Sequence, residues 1–238
     1  GILQLLSGNF EEGWPNYDWR WRVKDFVSHE SNIIHKESLW HGENLKGPDG
    51  KKILVSMEQG IGDEIMFASM IPDLAQVADE IVVECEARLV PLFKRSFPTI
   101  TFIVRSDAPL DDATEDEIDF QIPAGNLGSH FRRNFDQFPK PASYLLPDAK
   151  KKGHIRNDYS DRWPDKRLVG ISWKSGNVSV GGKRSLMLDQ WEPLLANPDC
   201  QFINLQYGNV AGDLADLKKS TGVDVYQDPS VDPLKDMD

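Results

Sequence analysis

The chain has 238 residues, a formal net charge of −11 at pH 7 and 39% hydrophobic residues. That length holds one large domain, or one domain and a piece of another. The acidic balance speaks against a nonspecific grip on nucleic acid through phosphates, although a local basic pocket stays open. Cys85 and Cys200 lie far apart, in or beside apolar runs. They read as buried thiols rather than a disulfide framework or a zinc site. No apolar run has membrane-spanning length and no signal peptide is expected, so a cytoplasmic setting is the default.

Residues 1–24, GILQLLSGNFEEGWPNYDWRWRVK, form a first unit. Ile2, Leu3, Leu5 and Leu6 close one helix and Ser7-Gly8-Asn9 break it. Phe10, Trp14, Tyr17, Trp19 and Trp21 spread over a second, where Pro15 is tolerable only in the first turn. The glycine-bearing turn followed by F-E-E-G-W-x-x-Y resembles the second helix of a tetratricopeptide repeat. The alternative is an amphipathic hairpin unrelated to any repeat. In either case the aromatics need cover on the next domain. Residues 25–50 read as a linker that packs Trp40 against that domain, with His35 and His41 as surface or packing histidines.

The first α/β domain is expected over residues 51–147. Ile53-Leu54-Val55-Ser56-Met57 reads as a buried strand. Glu58-Gln59-Gly60-Ile61-Gly62-Asp63 is a glycine-bearing turn, and a helix runs from Ile65 to Leu74. The glycines permit a tight turn and close approach of a ligand, and the helix start offers unpaired N–H groups and a positive dipole end. Asp63 at that start reads either as a base or hydroxyl anchor, or as a plain N-cap. Glu80–Glu84, Ile100–Val104 and Ile118–Ile122 read as further strands. Ala87–Ser96 and His130–Phe135 read as helices, with Pro91 in the first turn of its helix. The acidic stretch from Asp107 to Asp119 reads as a solvated loop. Alternation at this spacing predicts a parallel sheet with helices on both faces. Residues 136–147, with Pro139, Pro141 and Pro147, lead out of the domain, and residues 148–166 read as an interlobe linker.

A second α/β unit is expected over residues 167–238. Leu168–Trp173 is a strand, and Lys174-Ser175-Gly176-Asn177 stands at its carboxyl end. A basic loop with Lys183 and Arg184 follows. Ser185 reads as the N-cap of a helix over Leu188–Leu195. Gln201–Gln206 is the next strand, Asp213–Ser220 a helix, and Val223–Tyr226 the start of a third strand. So few strands make the second unit read as incomplete. Lys174, Ser175, Asn177, Lys183, Arg184 and Ser185 offer the hydroxyls, cations and helix start that a diphosphate needs. A solvated polar loop is the alternative.

Other chemistries are less well represented. Gly-x-Gly-Asp lacks the third glycine of a dinucleotide fingerprint, and no Walker Lys-Ser/Thr pair follows it. No Gly-x-Ser-x-Gly elbow or His-x-x-x-His pattern occurs. Glu58 and Asp63 remain candidates for a carboxylate pair.

The segments GNFEEGWPNYDWRWR, LWHGENLKG, EQGIGDEIMFASMIPDL, VGISWKSGN with KRSL, and FINLQYG together resemble a known family. It comprises tetratricopeptide-repeat proteins, bacterial in type, whose repeats run into a heptosyltransferase-like domain of glycosyltransferase family 9. The resemblance implies a GT-B fold of two Rossmann-like lobes. It also implies inverting transfer from a nucleotide-sugar donor to a glycan or protein acceptor, without metal or other cofactor. On the matching positions Asp63 is the base, and Gln59, Gly60 and Gly62 line the substrate side. The Lys174–Ser185 region, joined by Gln206, holds donor phosphate. The family's later glycine- and histidine-bearing donor loop has no counterpart before Asp238, so the second lobe is expected to be incomplete and this fragment inactive alone. Two other readings stand beside this one. One is a non-catalytic scaffold whose repeat array binds a protein partner, and the other is a nucleotide-binding sensor.

Overall fold

The structure, a computed structural model, describes residues 1–22, 38–48, 50–106, 117–140, 143–176, 181–232 and 234–237. His35, Asn177 and most of the acidic stretch after Asp107 lie outside these residues. The chain divides into two compact units, Gly1–Leu146 and Pro147–Asp238.

The first unit is built on a four-stranded parallel sheet in the order β3-β2-β1-β4, with β1 Lys52–Ser56, β2 Glu80–Cys85, β3 Thr101–Val104 and β4 Phe120–Pro123. Ile53, Leu54 and Val55 are completely buried. They lie on the strand that pairs with both β2 and β4, where a continuous branched apolar run is what two covered faces demand. β3, at the edge, alternates more in burial. Phe93, Phe97 and Phe102 pack together beneath it. Leu39 bridges to Gln121 in parallel. Trp40 is buried and packs against His130 in a tilted ring contact, centroids 4.6 Å apart.

Several local expectations are corrected. The helix after β1 is two pieces, α3 Ile61–Ala68 and α4 Ile71–Leu74. Pro72 has no N–H and its ring opposes the carbonyl four residues back, so one helix cannot run through. After β2 comes α5, Val90–Ser96, with Pro91 in its first turn. The helix read at His130–Phe135 lies earlier, as α6 Leu127–Phe131. At the N-terminus α1 spans Ile2–Leu6 and α2 spans Phe10–Tyr17. Pro15 is inside α2, beyond its first turn, and the chain tightens into a 3₁₀ segment at Asp18–Arg22. Trp19 and Trp21 therefore lie on that segment rather than on the helix.

The second unit pairs β5, Arg167–Ile171, with β6, Cys200–Asn204, in parallel. Residues 148–166 are mostly helix: α7 runs Ala149–Arg162, with Asp148 accepting from the amides of Lys150 and Lys151 at 2.8 and 2.9 Å. The helix is polar almost all round and buries only Tyr159, so no hydrophobic period announces it. A short helix α8, Glu192–Leu195, precedes β6, and α9, Ala211–Thr221, follows it. The strand expected at Val223–Tyr226 is reduced to a single parallel bridge between Ile203 and Tyr226. Ile171, Trp173, Leu188, Leu195, Phe202, Val210, Leu217 and Val225 form this unit's core.

Candidate functional site

In the first unit the strand order turns around at β1. Connections run outward through β2 to β3, then return to β4 on the other side. Open parallel sheets hold ligands outside the carboxyl ends of the strands flanking such a switch. Here those ends carry Met57–Gly60 and Ala124–Asn126.

Glu58 is buried and fully engaged. Its Oε2 accepts from Arg20 Nε at 2.8 Å, and its Oε1 accepts from Arg20 Nη2 and from the Gly125 amide, both at 2.7 Å. It is therefore a bridge between the two loops and not a carboxylate available to pair with Asp63. Gln59 has φ of 65°, so the left-handed residue of the turn is the glutamine and neither glycine. Its Nε2 donates to the Tyr17 hydroxyl at 2.6 Å. Gly60 is extended and occupies the N-cap position of α3. A Cβ at Gly62 would meet nothing within 4 Å, and at Gly60 only Asp63 Oδ2 at 3.6 Å. Turn conformation and internal packing thus leave both glycines unexplained, and they keep the backbone bare at the helix start.

Asp63 is the third residue of α3, not its N-cap. Its Oδ2 accepts from the Gly60 amide at 3.2 Å, and no cation pairs with it among the described residues. Glu64, next to it, is completely buried. One oxygen accepts from the Glu86 amide at 2.9 Å and the other meets Arg105 Nη2 at 2.6 Å. Arg105 also donates to the Met57 carbonyl at 2.8 Å, so the ends of β1, β2 and β3 are tied at one corner. Burial pushes the Glu64 carboxyl up, the Glu86 amide and Arg105 opposing it. Burial also pushes the Cys85 thiol up to about 12, which leaves it an inert core sulfur. Sequence reasoning missed Arg20, Tyr17, Gly125 and Asn126. The one signal was an arginine lodged between Trp19 and Trp21.

In the second unit the predicted phosphate loop is heavily self-satisfied. Gln206 Oε1 accepts from the amides of Trp173 at 3.1 Å and Lys174 at 2.9 Å, and from Ser172 Oγ at 2.9 Å. The Ser175 amide donates to Ser185 Oγ, and the Gly176 amide to the Tyr207 hydroxyl, each at 2.9 Å. Ser185 Oγ donates onward to the Gly181 carbonyl at 2.6 Å, so it braces the loop rather than capping a helix. The following helical turn begins after Met187, whose amide donates to Gln190 Oε1 at 3.0 Å. Lys174 Nζ lies 2.6 Å from Asp213 Oδ2, and that contact first of all holds the Asp213 carboxyl below its usual range. Lys183 and Arg184 are exposed on a 3₁₀ turn. A cavity of ≈ 690 Å³ is lined by Trp173, Lys174, Ser175, Ser185, Leu188 and Asp213 among others, with neither Lys183 nor Arg184 in its walls. The structure thus gathers Lys174, Ser175, Ser185 and Gln206 and leaves Lys183 and Arg184 outward. Asn177 lies outside the described residues.

Among the described residues no group of three or more His, Cys, Asp or Glu could hold a metal ion, and no helix is long and apolar enough to cross a membrane.

No family model matches the chain, and no solved structure matches it significantly. Protein FlbA of Caulobacter vibrioides is 29% identical over 249 residues, an alignment covering 99% of this chain and 41% of that protein. The chain therefore spans about two-fifths of the length of this relative.

Proposed function

We propose that the chain is part of a nucleotide-sugar-dependent glycosyltransferase of GT-B, heptosyltransferase-like type. Its N-terminal helices are then read as tetratricopeptide-like, and its two compact units as Rossmann-like lobes. In this reading Asp63 takes the proton from an acceptor hydroxyl. The hydroxyl oxygen forms its bond to the sugar C1, and the C1–O bond to the diphosphate breaks with its electron pair on the leaving group. No metal or cofactor enters the step. In the same reading, binding of the donor's diphosphate falls to the Lys174–Ser185 region of the second unit.

One observation carries the reading. Asp63 stands without a cationic partner at the start of α3, outside the carboxyl end of β1, beside two glycines that neither φ nor packing requires. A bare backbone and a carboxylate there suit close approach of a hydroxylated ligand. The test is Asp63→Asn in the full-length protein, with release of nucleoside diphosphate from a nucleotide-sugar as the readout. Wild type should turn over, and the variant should bind the donor but lose at least about a hundredfold in rate. Unchanged turnover in the variant would remove Asp63 from the chemistry.

A second reading, the non-catalytic scaffold, is favoured by a different observation. The amides of residues 173–176 already have side-chain acceptors, and the Lys174 ammonium is paired with Asp213. A protein that never binds donor would show no turnover in wild type and full cellular activity in the Asp63→Asn variant.

A further inference from the structure

The turn that carries Asp63 is held in place from outside its own strand and helix. Gln59 adopts the left-handed conformation at φ 65°, which a non-glycine residue keeps only where its surroundings hold it. What holds it is the Tyr17 hydroxyl, 2.6 Å from Gln59 Nε2. One residue earlier, Glu58 is clasped by Arg20 through two nitrogens. Arg20 also reaches across the switch point to Asn126 Oδ1 at 2.5 Å, and its guanidinium lies over the Tyr17 ring, 4.3 Å from the centroid. A Cβ on Gly125 would stand 2.5 Å from Glu58 Oε1 and 3.0 Å from Arg20 Nη2, so the loop after β4 lacks a side chain where this clasp passes.

We propose that Tyr17 and Arg20 are positioning residues for the Gln59–Asp63 turn, which makes the N-terminal helical segment a working part of the first lobe's site. Arg20 spans from Glu58 after β1 to Asn126 after β4, and the bare backbone at Gly60 and Gly62 is the side this proposal leaves for an acceptor to approach Asp63. Tyr17 sets the turn that aims Asp63. Burial raises the phenol above its usual range, with the charges of Glu58 and Asp63 adding to that and Gln59 and Arg20 opposing it. The phenol thus stays protonated, and its oxygen accepts from Gln59 throughout the neutral range. The geometry stands by itself, and only the effect on turnover rests on the proposed role of Asp63.

The segment has independent anchors. Trp14 Nε1 donates to the Arg132 carbonyl at 2.7 Å, and Glu11 pairs with Arg133 at 3.1 Å. Tyr17→Phe therefore removes one hydroxyl and leaves the helix docked. Hydrogen exchange followed by mass spectrometry, in the full-length protein, should show peptide Glu58–Met66 exchanging about threefold to tenfold faster in Tyr17→Phe, the loss of one net hydrogen bond. Peptide Ile81–Cys85 of β2 should be unchanged. Arg20→Lys keeps the charge but loses the two-point clasp, and should move the same peptide further. If Asp63 acts as proposed, kcat in Tyr17→Phe falls severalfold with the donor KM unchanged. Unchanged exchange in peptide Glu58–Met66, or an equal rise in the β2 peptide, overturns the positioning role. A wild type without turnover sinks the glycosyltransferase reading instead and leaves the exchange result to decide this one.

Discussion

A methyl group on Gly128 would stand 2.4 Å from Cζ2 of Trp14. With Gly125 one helical turn earlier, this makes a flat landing for α2 on the loop and helix after β4. Gly128→Ala should push the indole off that surface at a cost of about 1–3 kcal/mol. Trp14→Ala should cost roughly 2–3 kcal/mol from the lost ring burial. Combined, the two should cost less than their sum, because the added methyl has nothing left to strike. Thermal melts of the four proteins check this, and strict additivity would mean the indole does not rest on Gly128.

Arg20→Met strands Glu58. Removing one partner of a buried pair costs about 3–5 kcal/mol, since the remaining charge keeps its desolvation penalty. Replacing both, as Arg20→Met with Glu58→Met, should recover part of that loss in denaturant titrations. A double variant no more stable than Arg20→Met would show that the uncompensated carboxylate is not the source of the damage.

Burial, then the nearby His41 and Arg133, hold His130 below its usual 6.5, with Glu43 opposing. A folded pKa below the unfolded one means that the unfolded chain takes up the proton first. Stability from this group is present above about pH 6.5 and is lost as pH falls through the folded value. His130→Gln should flatten that limb of the stability–pH curve. An identical curve in the variant would detach the effect from the Trp40–His130 contact.

The Lys174–Ser185 loop divides its residues by role. Gln206→Ala leaves the Trp173 and Lys174 amides without their acceptor and should destabilise the second unit by about 1–3 kcal/mol. Lys183→Ala should leave stability untouched. Under the glycosyltransferase reading the diphosphate meets Lys183 on the outer side of the turn, beyond the cavity walls, and Lys183→Ala in the full-length protein should weaken nucleoside diphosphate binding by roughly tenfold while sparing the parent nucleoside. Equal affinities for the two ligands in wild type, or an unaffected variant, would make the turn ordinary solvated surface.

The sheet of the first unit was legible because its strands are short runs of buried branched residues, and burial is what such runs report. Ile53-Leu54-Val55, followed within a few residues by a glycine-bearing turn, announces a central strand. The Gly60–Asp63 turn was legible as a strand-to-helix junction, but which residue bends it was not. A glutamine at φ 65° depends on a tyrosine 42 positions away, and no local pattern carries that. Helix α7 escaped because Asp148 caps a stretch with no apolar stripe. Ser185 and Gln206 carry the right chemistry for phosphate, yet here their oxygens serve the backbone. Residue type gives a side chain's capacity, and the contacts decide how it is used.

The lone bridge from Leu39 to Gln121 reaches beyond the loop that makes it. An edge strand exposes a row of unmet amides and carbonyls that recruits strands from other chains. The Gln121 carbonyl accepts from the Trp40 amide at 2.9 Å, so the outer edge of β4 is occupied at that position. No strand lies beyond β3 among the described residues, and Val104 there is 54% exposed. The β3 edge, with no such bridge among the described residues, is therefore the more open place for another chain to add a strand.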